Sequence, residues 1–128
     1  MIYVANWKMN GNTNFVNSFL SEIKQEIIPH IASNSKIILC PPSIYLSIAV
    51  TSCENTPVEI GAQDCSAHKV GSYTGEISAD MMSDVGSKWL ILGHSERRQY
   101  HNENNSLLYE KMLSAKLASL KVIFCVGE

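Results

Sequence analysis

Residues 89–98 read Trp89-Leu90-Ile91-Leu92-Gly93-His94-Ser95-Glu96-Arg97-Arg98 and change character at the glycine. Before it the run is apolar with no polar alternation, the habit of a strand covered on both faces in a parallel sheet lined by helices. After it every side chain is polar. If Ser95 and Glu96 open a helical turn, His94 lies beside unpaired backbone N–H groups and their positive dipole end, which favours neutral imidazole over imidazolium. A neutral histidine that donates a hydrogen bond can polarise a carbonyl. The competing reading is structural: Glu96, Arg97 and Arg98 brace a loop or the surface through ion pairs, and His94 merely packs.

The same succession of strand and break recurs along the chain. Ile2–Asn6, Lys36–Cys40, Val58–Ala62 and Lys121–Val126 are short, apolar and partly β-branched, so together with Trp89–Leu92 they predict buried strands. Helical spacing predicts a helix over Thr13–Ile28, where Phe15, Val16, Phe19, Leu20, Ile23 and Ile27 recur ahead of Pro29. It predicts another over Ser106–Leu120, where Leu107, Leu108, Met112, Leu113, Leu117 and Leu120 share a face after Asn104-Asn105. Shorter helices are predicted at Ser43–Ser52, behind Pro41-Pro42, and at Ser78–Val85. Strand and helix thus alternate four times and end on a fifth strand. The fold class is α/β, a parallel sheet with helices outside it, in one domain spanning residues 1–128. A final strand with no covering helix fits an open α/β domain and does not close a barrel.

Composition bounds the rest. A chain of 128 residues with 45% hydrophobic and 17% charged residues supports one ordinary core and excludes a disordered, collagen-like or multidomain chain. Ten Lys+Arg against 12 Asp+Glu leave no basic footprint for nucleic acid. Apolar runs such as Ile37-Ile38-Leu39-Cys40 fall far below the roughly 20 residues that cross a bilayer. Met1-Ile2-Tyr3-Val4-Ala5 carries no basic n-region, so no membrane association and a cytoplasmic location are expected. Cys40, Cys53, Cys65 and Cys125 show no C-x-x-C pair or zinc-like spacing, which predicts reduced thiols and no metal. The absence of G-x-G-x-x-G, P-loop and G-x-S-x-G patterns removes the usual support for dinucleotide, nucleoside triphosphate and serine hydrolase chemistry.

Strand alternation places Ile2, Val4, Asn6 and Lys8 on one face, which turns polar at its carboxyl end. Ligands of parallel α/β proteins bind beyond the carboxyl ends of the strands, so Asn6 and Lys8 could meet an anionic substrate there. The plainer alternative is a solvated strand end with a snorkelling lysine. Gly71-Ser72-Tyr73-Thr74-Gly75-Glu76 has the composition of a surface loop. His30, His68 and His101 have no partner pattern nearby and read as exposed or packing residues.

Three separated motifs then agree: Asn6-Trp7-Lys8-Met9-Asn10-Gly11, Tyr73-Thr74-Gly75-Glu76-Ile77-Ser78 and Ile91-Leu92-Gly93-His94-Ser95-Glu96-Arg97-Arg98. Together they closely resemble the triosephosphate isomerase family. Pro41-Pro42-Ser43-Ile44-Tyr45-Leu46, Gly61-Ala62-Gln63-Asp64 and Cys125-Val126-Gly127-Glu128 are similar to that family in the same order and at its spacing, so the likeness covers the whole chain. One small departure is Asp64, where the family commonly has Asn; it is expected to alter a loop hydrogen bond without touching the chemistry.

The resemblance implies the first five strands and four helices of a (β/α)8 TIM barrel. The implied reaction, glycolytic and gluconeogenic, interconverts dihydroxyacetone phosphate and glyceraldehyde 3-phosphate through an enediolate, with neither cofactor nor metal. It also implies roles: Lys8 the substrate-binding and electrostatic lysine, Asn6 the active-site asparagine, His94 the electrophile, Glu96 the glutamate near the lysine. Thr74 corresponds to the residue that enters the partner subunit of a homodimer. The family is itself a standard example of a neutral histidine beside a helix N-terminus, so that part of the resemblance adds no independent support to the dipole argument.

A complete barrel of this type runs to about 250 residues. By the family's pattern the proton-abstracting glutamate, the mobile lid and the late phosphate loops lie outside this sequence. The chain alone is therefore expected to be inactive and to need a complementary carboxyl-terminal half. Two other readings stand beside this one. Another phosphosugar barrel enzyme, such as an epimerase, explains the alternation but not the joint occurrence of Asn6-Trp7-Lys8 and His94-Ser95-Glu96. A non-enzymatic half-barrel remnant would use its open edges to bind another chain.

Overall fold

The structure is a computed structural model that describes residues 1–127. Glu128, the last residue of the Cys125–Glu128 motif, lies outside the described residues. One parallel sheet runs β1 (Ile2–Asn6), β2 (Lys36–Cys40), β3 (Val58–Ala62), β4 (Trp89–Leu92) and β5 (Lys121–Phe124), each strand beside its neighbour in sequence. The strands curl into half of a TIM barrel. The first four match the bounds expected from their apolar runs. The fifth ladder stops at Phe124 instead of Val126, although the Cys125 N–H still donates to the Leu92 carbonyl at 2.8 Å.

Side-chain caps start most of the helices. Helix α1 (Thr13–Glu22) begins where Asn12 Oδ1 accepts from the Phe15 N–H at 2.8 Å. Its predicted continuation to Ile28 exists but is not α-helical throughout: it widens into a π turn at Ile23–Ile27 and tightens into a 3₁₀ turn at Ile28–His30. Pro29, which has no N–H to donate, ends the regular ladder there. A 3₁₀ turn at Ser43–Tyr45 leads into α2 (Leu46–Ser52), and Ser78 caps α3 (Ala79–Asp84) by accepting from the Met81 N–H at 3.1 Å. The fourth connection is split into α4 (Ser95–Tyr100) and α5 (Asn105–Leu117), so it holds two helices where one was expected. Asn102 at φ 52° turns the chain between them, and Asn104 caps α5.

The face of α5 differs from its leucine spacing. Leu108, Lys111 and Ala115 are buried, whereas Leu113 and Leu117 are 44% and 79% exposed. Lys111 is drawn inward by two carboxylates described below, and Ala115 permits close approach, which together rotate the helix away from the leucine stripe.

Outward strand residues Ile37, Leu39, Val58, Ile60, Leu90 and Leu92 pack on Val16, Leu20, Leu46, Ala49, Met82 and Leu108 of the helices. Each fully buried Val, Leu, Ile or Met among them contributes about 1.5–3 kcal/mol. The concave face holds a smaller cluster of Ile38, Cys40 and Ile91, flanked by Trp89, Ile123 and Cys125. Both edges of the sheet are open: Ile2, Tyr3 and Val4 of β1 are 56%, 51% and 42% exposed, and Phe124 of β5 is 38% exposed. Unpaired parallel edges with apolar side chains recruit other strands. The isolated chain is accordingly expected to show concentration-dependent self-association in sedimentation, and a monodisperse monomer at high concentration would contradict this.

Candidate active site

Because every strand is parallel, the carboxyl ends of β1, β3 and β4 rise on the same side of the sheet. Beyond β1, alternation no longer governs the backbone. Lys8 follows the strand with φ 54°, in the left-handed region, a conformation that costs of order 1–3 kcal/mol outside glycine. Two neighbours hold it: the Lys8 N–H donates to Asn6 Oδ1 at 2.9 Å, and Gln63 Nε2 donates to the Lys8 carbonyl at 2.9 Å and to the Cys40 carbonyl at 2.8 Å. Gln63 therefore ties the ends of β1 and β2 to that of β3.

The Lys8 side chain crosses to the end of β4, where its Nζ lies 2.7 Å from Glu96 Oε1. Both side chains are about half exposed, so the pair adds little stability; it fixes the position of a positive charge. The hydrogen bond from Lys8 holds the Glu96 carboxyl below the usual carboxylate range, slight desolvation opposes this, and the Lys8 charge adds to the lowering. His94 caps α4, its Nδ1 accepting from the Glu96 N–H at 3.2 Å. Glu96 Oε2 lies farther from the same nitrogen, at 3.6 Å. An Nδ1 that accepts from backbone leaves the ring proton on Nε2, which makes Nε2 the donor.

These residues border an open cleft of about 340 Å³ lined by Asn6, Lys8, Gln63, Asp64, His94, Glu96 and Arg97, among others. A neighbouring depression of about 320 Å³ shares Lys8, Gln63 and Asp64 and adds Gly75 and Glu76 of the loop after β3. Two larger clefts, of about 550 and 480 Å³, lie beside β5 and β1. They are mainly apolar and mark the open sides of the sheet, whereas the cleft above the carboxyl ends of the strands is lined by Lys8, Asp64, Glu96 and Arg97.

Behind the cleft lies an ion-pair network. Arg97 Nη2 is 3.0 Å from Asp64 Oδ2 and its Nε is 3.1 Å from Glu103 Oε2; Lys111 Nζ is 2.8 Å from Asp64 Oδ1 and 2.5 Å from Glu103 Oε2. Asp64 is thus a member of a partly buried quartet rather than a simple loop hydrogen-bonding residue. Burial pushes its carboxyl above the usual range despite Lys111 and Arg97, helped by the Glu103 charge. Burial also opposes ionisation of Glu103, but Lys111 and Arg97 outweigh it and hold that carboxyl below its usual range.

The signs of these shifts give a pH prediction. A lowered Glu103 contributes stability above the ordinary carboxylate range and loses it as pH falls, while a raised Asp64 takes up a proton more readily when folded and opposes that loss. Asp64→Asn is expected to lower stability at pH 7 by about 1–3 kcal/mol, since the amide oxygen still accepts from Lys111 but the amide NH2 cannot accept from Arg97. It is also expected to steepen the loss of stability on acidification. Urea denaturation from neutral pH down through the carboxylate range checks both; an acid limb shallower than that of the unsubstituted chain would contradict the assignment.

Of the residues singled out in the sequence, Asn6, Lys8, His94 and Glu96 meet at one cleft. Thr74 stands exposed on the loop after β3 and does not line it. His101, read as unpartnered, lines the cleft, and the His68 ring stacks on Tyr73 with centroids 3.7 Å apart. Sequence reasoning missed Gln63 and the partners of Asp64. A lysine at the inward position of α5, three residues after Leu108, was the available signal for the network.

A half-barrel of parallel strands thus carries a lysine, a histidine and a glutamate at its carboxyl rim, the face on which barrels of this class build their active sites. A sequence model described as Triosephosphate isomerase matches residues 1–128. The chain belongs to the triosephosphate isomerase family. It is 38% identical over 127 residues to triosephosphate isomerase from Granulibacter bethesdensis, covering 99% of this chain and 51% of the relative. It is 39% identical over 127 residues to the enzyme from Buchnera aphidicola subsp. Schizaphis graminum, covering 99% and 50%. The crystal structure of triosephosphate isomerase from Bartonella henselae superposes with a TM-score of 0.87 at 34% identity, over 99% of this chain and 52% of that one. The chain spans about half the length of the curated relatives it matches. Among the described residues no helix is long and apolar enough to cross a membrane.

Proposed function

We propose that the chain supplies the electrophilic half of a triosephosphate isomerase active site. In this reading a base removes a proton from the carbon beside the carbonyl of dihydroxyacetone phosphate, and negative charge develops on the oxygens of an enediolate. His94 donates from Nε2 to those oxygens, the Lys8 ammonium stabilises their charge, Asn6 holds the Lys8 backbone, and Glu96 fixes the lysine side chain. The reading calls for no cofactor or metal. The base, the lid and the late phosphate loops belong to the half of the relatives that this chain does not span. Thr74, exposed on its loop, is then a contact to the partner subunit of a cytoplasmic homodimer.

The observation that carries this reading is the 2.7 Å contact between Lys8 Nζ and Glu96 Oε1, groups 88 residues apart, in a cleft that also holds His94. The test is an isomerase assay of the purified chain alone, with a separately made carboxyl-terminal half, and as a fusion to the remaining half of the Bartonella henselae relative. Turnover is expected only when the second half is present. Robust turnover by the chain alone would refute the division of labour, and an inactive but folded fusion would refute the isomerase reading. The exposed β1 edge favours a second reading, a non-enzymatic half-barrel whose edges pair with another chain; a folded but inactive fusion would point to it.

A further inference from the structure

Arg98 has no part in the chemistry derived above, yet its side chain joins the ends of two strands and the start of a helix. Its Nε donates to the Gly93 carbonyl at 2.8 Å, Nη1 donates to Asn105 Oδ1 at 2.9 Å, and Nη2 donates to the Cys125 carbonyl at 3.4 Å. The guanidinium also lies 5.7 Å from the centre of the Phe124 ring. Its own backbone N–H donates to the His94 carbonyl at 3.1 Å. The side chain and backbone of this one residue therefore grip both carbonyls that flank the His94 backbone N–H and Cα.

Gly93 makes the grip possible. Its φ of 75° turns the chain from β4 into α4, and a Cβ at this position would meet Arg98 Nη2 at 2.9 Å and the Cys125 carbonyl oxygen at 3.1 Å. The Gly93–His94 peptide plane sets the direction in which the imidazole leaves the backbone. We propose that Arg98 is a positioning residue that fixes this plane, and with it the orientation and single tautomer of His94, by clamping the Gly93 and Cys125 carbonyls together. A planar fork of N–H donors can do this from one side chain, whereas the compact ammonium of lysine cannot span the two carbonyls in the same geometry. The proposal deepens the isomerase reading and rests on it for its purpose, although the geometry stands without substrate.

The test uses the 128-residue chain labelled with ¹⁵N only at histidine, whose four residues give few enough signals for magic-angle spinning even if the chain associates. In the unsubstituted chain, His94 is expected to show an unprotonated Nδ1 and a protonated Nε2 as one pattern. Arg98→Met is expected to lose that single pattern to a mixture of tautomers, and Arg98→Lys to recover it only in part. Amide hydrogen exchange in the β4–β5 ladder, followed by mass spectrometry on the unlabelled chain, is expected to be unchanged in both. An unaltered His94 pattern in Arg98→Met overturns the proposal. So does loss of the ladder in both variants, which would make Arg98 a folding residue rather than a positioning one. Because the readout involves no substrate, an inactive fusion would refute the isomerase reading while leaving the clamp intact.

Discussion

Lys8→Met, placed in the chain fused to the remaining half of a relative, is expected to lower kcat/KM by ~10²–10³-fold, the range seen when a preorganised group facing a developing negative charge is removed. The side chain is nearly isosteric and its partner Glu96 lies in an exposed cleft, so the fold has little reason to suffer. The strained φ of 54° at this position is held by Asn6 and Gln63 through the Lys8 backbone, which the substitution leaves in place. Circular dichroism should therefore be unchanged while turnover falls. His94→Gln is expected to lose ~10²–10⁴-fold. The double variant should fall short of the product of the two losses, because both groups act on the same developing charge. Steady-state kinetics on the fusion checks all three, and full additivity would place the residues in separate roles.

The second large effect concerns stability. Lys111 is 5% exposed and bridges Asp64 and Glu103, and Glu103 Oε1 already has no hydrogen-bond partner among the described residues. Burial lowers the affinity of the lysine for its proton, but the hydrogen bonds and charges of the two carboxylates reverse this and raise it above the usual range. Its contribution is therefore full below the ordinary lysine range and is lost as pH rises through the elevated value. Lys111→Met leaves two partly buried carboxylates sharing only Arg97, and breaking such a pair from one side costs about 3–5 kcal/mol. Urea denaturation at pH 7 measures the loss. A cost under about 1 kcal/mol, the range of exposed pairs, would show that the quartet does not brace α5.

Much of the fold was legible because its strands are buried on both faces and so read as unbroken apolar runs between turn residues. Asn104 marked the start of α5 through the cap bond its side chain makes, whereas the equivalent cap bonds of Asn12 and Ser78 became visible only in the structure. The leucine stripe of α5 misled, since a periodic apolar face does not reveal that a charged residue has been drawn into the interior by partners distant in sequence. The same limit hid Gln63 and the network: their meaning depends on which strand ends stand side by side, and a linear reading cannot supply that. That Asn6, Lys8, His94 and Glu96 would share one cleft was legible for another reason. Asn6, Lys8, His94 and Glu96 fall where apolar strands turn polar, and in a parallel sheet all such places share one rim.

The resulting picture is a curled sheet whose convex face is sealed by helices and whose rim carries an assembled polar cleft, while both of its edges remain open. The contacts that set Lys8, Glu96 and His94 are already made within β1–β5 and the segments that follow them, the two edge strands included. Closure by further strands would exclude water from the cleft without building these contacts anew.

The most direct test is the crystal structure of the fusion with dihydroxyacetone phosphate bound. Lys8 Nζ and His94 Nε2 are each expected within hydrogen-bonding distance of substrate oxygens, with Glu96 still paired to Lys8. A substrate seated elsewhere, or touching neither side chain, would contradict this.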